Sequence, residues 1–181
     1  RGRVLESDEA VEHIRCRYRS LVSMCDRNLG RILDLMDEHD LWRDTMLIVG
    51  TDHGFLLGEH GWWAKNQMPY YNEVANNPLF IWDPRSGVKG ERRQALVQMI
   101  DWAPTLYDFF QQPVPPDVQG QPLAKTVSHD EPVRSAAMFG VFSGHVNVTD
   151  GRYVYMRAAL PGREDDIVNY TLMPIKMNSR Y

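Results

Sequence analysis

Residues 45–51, Thr-Met-Leu-Ile-Val-Gly-Thr, form an almost wholly apolar run that ends abruptly in Asp52-His53-Gly54. A strand with no polar face cannot lie at a solvated surface. It belongs in the middle of a sheet covered by helices, typically a parallel one. A helix able to cover it is legible just upstream. Val11, Ile14, Tyr18, Leu21, Cys25, Leu29, Ile32 and Met36 recur at steps of three and four, which gives one apolar face to a long amphipathic helix over residues 7–39. Ser7 is a natural N-cap, and Asp8 and Glu9 put negative charge where the helix dipole favours it.

Downstream, residues 54–77 are polar, aromatic and rich in Gly and Asn, the composition of an ordered loop, with a helical turn near Tyr70 to Val74. Pro78-Leu79-Phe80-Ile81-Trp82 reads as a second buried strand, stopped by Asp83-Pro84. Ala95 to Ile100 suggests a third strand or strand-like entry, and Asp101 to Phe110 a short helix with an early proline. The proline-rich stretch from Gln111 to Glu131 reads as a surface connection. Beyond it the period changes: Ser135 to Phe142 and His145 to Met156 suggest strands, with Asp150-Gly151 as a hairpin turn. The expected class is therefore α/β, residues 1–125 forming an α/β domain and 126–181 a small antiparallel β extension.

Composition narrows the functional classes. With 181 residues, 43% hydrophobic and 24% charged, the chain can bury a core without cross-links. A net charge of −4 without a basic block gives no reason to expect nucleic acid, and no apolar run reaches membrane-spanning length. Cys16 and Cys25 fall on one helix, roughly 13 Å apart at about 1.5 Å rise per residue, too far to bridge. They are expected to be core-facing thiols. Asn147-Val148-Thr149 and Asn169-Tyr170-Thr171 match the glycosylation acceptor pattern, a triplet common by chance.

The chemistry is concentrated in Thr51-Asp52-His53-Gly54-Phe55-Leu56-Leu57-Gly58-Glu59-His60-Gly61-Trp62-Trp63-Ala64-Lys65. Ligands of open α/β sheets sit beyond the carboxyl ends of the strands. A carboxylate and an imidazole leaving a strand there, with Gly54 free to turn sharply, can converge on one metal ion. Lys65 offers a compact cation for an anionic oxygen. Against this, an Asp-His pair after a strand is more often a hydrogen-bonded turn, a lone Lys in a loop is usually solvated, and Glu59 and His60 suit a loop-stabilising pair equally well.

The run TDHG, then LGEHGWWAK, then PLFIWDP resembles the sulfatase pattern of a strand ending in (S/T)DHG, followed by LGEHG, a Lys and a strand of the form PLII-x-x-P. Asp101-Trp102-Ala103-Pro104-Thr105-Leu106 is similar to that family's D-x-x-PT-L helix start, and Gly120-Gln121-Pro122-Leu123 to its G-x-x-L segment. The likeness covers about residues 11–125. It implies part of an alkaline-phosphatase-like sandwich, a sheet flanked by helices, and hydrolysis of a sulfate ester. It implies Asp52 and His53 as metal ligands and Lys65 as the residue contacting the sulfate or phosphate group. The metal would be Ca2+, with Mn2+ or Zn2+ suited by the imidazole. His60 is a lesser candidate, for the pocket wall.

The family's nucleophile is a formylglycine made from Cys or Ser in a C/S-x-P-S/A-R motif. Cys16 is followed by Arg17-Tyr18-Arg19 and Cys25 by Asp26-Arg27-Asn28, so neither fits. The family's early Asp pair and upstream histidine have no counterpart either, and His13 lies on the polar side of its helix. The resemblance therefore implies a fragment that is inactive alone, with the formylglycine expected in a missing N-terminal part. A phosphonate or phosphate ester hydrolase or phosphoryl transferase of the same superfamily, and a non-catalytic metal-binding module, are the alternatives.

Overall fold

The computed structural model describes residues 2–65, 69–140, 144–158, 160 and 162. Helix α1 spans Asp8–Glu38, and the Ser7 hydroxyl accepts from the Ala10 N–H at 3.3 Å, as the sequence anticipates. The apolar stripe forms, but only its ends are covered: Val11 and Met36 are buried, whereas Leu21 and Ile32 are about half exposed. Cys16 and Cys25 are both exposed, which corrects the expectation of core-facing thiols. Cys25 falls in the exposed middle of the stripe, between Leu21 and Ile32, and Cys16 lies on the polar side with Glu12 and Arg19.

After α1 a left-handed Asp40 and the 3-10 turn Leu41–Arg43 send the chain into strand β1, Leu47–Gly50. β1 pairs with β4, Leu79–Trp82, in antiparallel register from Leu47↔Trp82 to Gly50↔Leu79. The expected parallel neighbours are not found among the described residues, where every strand pairing is antiparallel. β1 is accordingly only half buried rather than enclosed.

The loop between β1 and β4 carries more regular structure than its composition suggests. It holds a two-residue hairpin, β2 (Leu56–Leu57) with β3 (Trp63–Ala64), and then helix α2, Asn72–Ala75, close to the helical turn read from the sequence. Gly58 turns the hairpin at φ +101°, and a Cβ there would come within 3.0 Å of Val11 in α1. Glycine thus serves both the turn and the helix contact. Arg15 of α1 donates to the Leu57 carbonyl at 2.9 Å. Leu56 and Val74 are fully buried, and Trp62, Tyr70 and Tyr71 pack around them. This small core lies directly beneath the chemistry-bearing loop.

The expected strand at 95–100 does not form. Its residues lead into a 3-10 turn, Met99–Asp101, because the Asp101 carboxylate captures the Gln98 N–H at 2.7 Å in a capping box. Helix α3 follows at Trp102–Phe109. The proline-rich stretch is more than a surface connection: it contains helix α4, Ala124–His129, anchored by buried Leu123 and Thr126. The last described elements are β5 (Ala137–Gly140), β6 (Val146–Thr149) and β7 (Val154–Arg157), antiparallel and in sequence order, with Asp150-Gly151 at the anticipated turn. Asn147 is fully buried on the middle strand, which removes it as a glycosylation acceptor; Asn169 lies outside the described residues. The architecture is mixed α/β with small antiparallel sheets.

Candidate active site

β1 ends at Gly50, and the chain turns at once through Asp52-His53-Gly54. The turn is built by its own side chains. The Asp52 Oδ1 accepts from the His53 N–H at 3.0 Å, and the Thr51 hydroxyl donates to the His53 carbonyl at 3.1 Å. Glycine is required at 54, where the N–H donates to the Val74 carbonyl at 2.9 Å and any Cβ would collide with the Glu73 carbonyl.

The imidazole orientation follows from the same turn. His53 Nδ1 lies 2.9 Å from the Gly54 carbonyl oxygen. A carbonyl can only accept, so this contact places a proton on Nδ1; when the ring is neutral, the lone pair is on Nε2. Nε2 in turn lies 3.2 Å from Asp52 Oδ2. An imidazole nitrogen and a carboxylate oxygen sit at that separation comfortably only where a proton or a positive charge lies between or beside them. Lys65 supplies such charge, its Nζ contacting His53 Nε2. Lys65 arrives here because β3 ends at Ala64, paired with Leu56.

The electrostatics agree. Partial burial acts to raise the Asp52 carboxyl, but His53, the backbone N–H groups of Asp52 and His53, and Lys65 outweigh it and hold the group below the usual carboxylate range. The Tyr70 hydroxyl is pushed above its ordinary value, first by burial and then by the charge of Asp52.

Asp52, His53 and Lys65, the residues singled out from the sequence, are therefore brought together. The Asp52 side chain is 70% exposed and that of His53 24%, so the cluster opens to solvent. The chemistry of the donor pair suits a divalent cation: a carboxylate oxygen and an imidazole nitrogen 3.2 Å apart. The pair is incomplete, since no group of three His, Cys, Asp or Glu side chains able to hold a metal occurs among the described residues. His60 does not join the cluster. Its ring stacks on Tyr71 at 3.9 Å and its Nε2 lies 3.0 Å from Glu73 Oε1, pinning the hairpin to α2. Glu59 is likewise engaged, accepting from the Leu57 N–H.

Sequence reasoning missed Tyr70 and Asn77. Tyr70 carries the hydroxyl that feels Asp52, and the Asn77 Nδ2 lies 3.4 Å from the Asp52 carbonyl oxygen. Nothing in their local pattern marks them, because both are placed by the return of the loop to β4.

A protein-family model described as Sulfatase matches residues 3–112. An N-acetylglucosamine-6-O-sulfatase from Bacteroides thetaiotaomicron is 33% identical over 130 residues, 72% of this chain and 23% of the relative. An arylsulfatase from Clostridium perfringens is 28% identical over 149 residues, 78% of this chain and 31% of the relative. The chain thus spans about a quarter to a third of the length of these relatives. The solved structure of BT4656 in complex with its substrate D-glucosamine-2-N,6-O-disulfate superposes with a TM-score of 0.62 at 28% identity, over 72% of this chain and 28% of that one.

Proposed function

Since the chain belongs to the sulfatase family, we propose that it is part of a longer enzyme that hydrolyses a sulfate ester. Asp52 and His53 are its contribution to a divalent metal site, and Lys65 is its catalytic cation. The observation that carries this reading is the convergence of the Asp52 Oδ2, the His53 Nε2 and the Lys65 ammonium at the end of β1. It is a cluster of donors and positive charge suited to an anionic ester.

The roles divide by charge. Asp52 and His53 would hold the cation, His53 in the tautomer that its Nδ1 contact to the Gly54 carbonyl fixes. The bound cation supplies neutralisation of the ester's oxygens as the bond to sulfur breaks. In this structure Lys65 leans on the nitrogen that would face the cation, so it would move off Nε2 and present its ammonium to a sulfate oxygen or the leaving group. Ca2+ is the first expectation, with Mn2+ or Zn2+ suited by the imidazole. The nucleophile, a formylglycine in the family, would come from residues outside this chain.

We assign residues 1–125 to the catalytic α/β domain, with β1 and β4 belonging to a larger helix-flanked sheet, and residues 126–181 to a small antiparallel extension. A second reading keeps the architecture and changes the ester: the imidazole beside the aspartate also suits a phosphonate or phosphate ester hydrolase. The deciding experiment assays the parent protein on 4-nitrophenyl sulfate and a 4-nitrophenyl phosphonate, with Ca2+ or Mn2+ supplied. Preferential sulfate turnover supports the first reading and preferential phosphonate turnover the second. No turnover of either overturns both.

A further inference from the structure

The Asp52-His53-Gly54 turn is strapped at both ends by the segment that runs from α2 into β4. On the glycine side the Gly54 N–H donates to the Val74 carbonyl at 2.9 Å. On the aspartate side the Asn77 Nδ2 lies 3.4 Å from the Asp52 carbonyl oxygen. That carbonyl can only accept, so the amide must offer its NH2 end, which turns Oδ1 elsewhere. Oδ1 is then shielded from solvent and meets no donor among the described residues. A buried acceptor without a donor is a cost that an apolar side chain of similar size would not carry. Pro78 follows directly and biases Asn77 toward extended backbone, while Gly50↔Leu79 pairing fixes the segment beside the end of β1.

From these contacts we infer that Asn77 is a positioning residue of the site. Its Nδ2 steadies the Asp52 peptide and thereby sets the approach of the Asp52 carboxylate to His53 Nε2. The shielded Oδ1 argues against direct contact between this amide and an ester or a cation, which leaves the donor end as the reason for an asparagine here. The inference rests on the proposal that Asp52 and His53 hold a divalent cation.

The test uses the parent protein, stripped of metal and titrated calorimetrically with Ca2+ and with Mn2+, alongside thermal melts of the metal-free forms. Asn77→Leu removes both amide functions at similar size, and Asn77→Asp replaces the donor with an acceptor that also carries a negative charge. Both are expected to weaken cation binding about 10- to 100-fold, with the melting temperature of the metal-free Asn77→Leu form unchanged or raised. If Asn77→Leu does not fold, the Asn77→Asp affinities decide the matter in its place. Affinities within twofold of wild type, or losses only in step with lost stability, overturn the inference. Asp52→Asn serves as the control arm. If it too binds like wild type, the metal reading fails and this inference with it; if it loses binding while the Asn77 variants do not, this inference alone falls.

Discussion

Asp52 and Asp101 are both carboxylates held below their usual range, and they do opposite things. At Asp101 burial acts to raise the carboxyl, but hydrogen bonds from Arg134 and from the Gln121 and Gln98 N–H groups outweigh it. Its side chain is fully buried, and both oxygens are engaged: Arg134 reaches them with two nitrogens at 2.5 Å, Gln98 N at 2.7 Å and Gln121 N at 2.9 Å. It ties the start of α3 to the segment before α4 and to the approach to β5. Among the described residues Asp52 Oδ1 takes the His53 N–H and a weak Thr51 contact, while Oδ2 faces the His53 Nε2 at 3.2 Å and opens to solvent. A saturated carboxylate has no lone pair to spare and is structural. One with an uncommitted oxygen directed at a second donor is equipped to take up a cation.

Arg134→Met gives the largest expected effect. It strands the Asp101 charge in the interior, and breaking a buried pair on one side costs about 3–5 kcal/mol. Urea or thermal denaturation of this chain measures it. Asp52→Asn, by contrast, is expected to leave the melting curve of the metal-free protein in place while abolishing metal-dependent turnover of an aryl sulfate by the parent protein. A large loss of stability in that variant would mean that Asp52, too, is structural.

Acid separates the variants further. The folded-state pKa of Asp101 is depressed, so its contribution to stability is full above the ordinary carboxylate value and is lost as pH falls through the lower folded value. In Arg134→Met burial acts with less opposition, only the Gln121 and Gln98 N–H groups remaining against it, so acidification neutralises the stranded charge at a smaller cost than in wild type. Denaturation midpoints between about pH 3 and 6 should converge for the two proteins; parallel curves would show that the ion pair is not the source of the difference.

Lys65→Met is expected to lower kcat/KM of the parent enzyme roughly 100- to 1,000-fold, the size of losing one preorganised charge contact in a transition state. Its metal affinity should be unchanged or tighter, since the ammonium no longer leans on His53. The smallest effect is expected at His60→Phe, which keeps the stacking on Tyr71 and loses the half-exposed Glu73 contact. Less than about 1 kcal/mol should be lost, and a collapse of activity there would return His60 to the site.

Much of the fold and of the site is legible in one dimension, and for a local reason. The period of α1, its Ser7 cap, the β1 and β4 runs and the Asp150-Gly151 turn are each set by neighbours in the chain, as is the adjacency of Asp52 and His53 at a strand end. The departures share a cause. Apolarity alone suggests a parallel sheet, yet strand direction depends on which segments meet in space. Ala95 to Ile100 has strand composition, but the Asp101 carboxylate diverts it into a turn. The proline-rich stretch hides α4 because its start is held by residues remote in sequence, Thr105 accepting from the Leu123 N–H and Arg93 donating to the Thr126 carbonyl.

By itself the sequence determined the chemical vocabulary of the site: a carboxylate, an imidazole and an ammonium after a buried strand, in an order shared with the sulfatase family. Only the tertiary structure decided that the His53 Nε2 faces Asp52 and meets Lys65, that His60 is spent on Tyr71 and Glu73, and that Asn77 reaches the Asp52 peptide. The reason is physical. Residue type and short-range period are fixed by covalent order, whereas the direction of a lone pair and the company a side chain keeps depend on segments that meet only when the chain closes on itself.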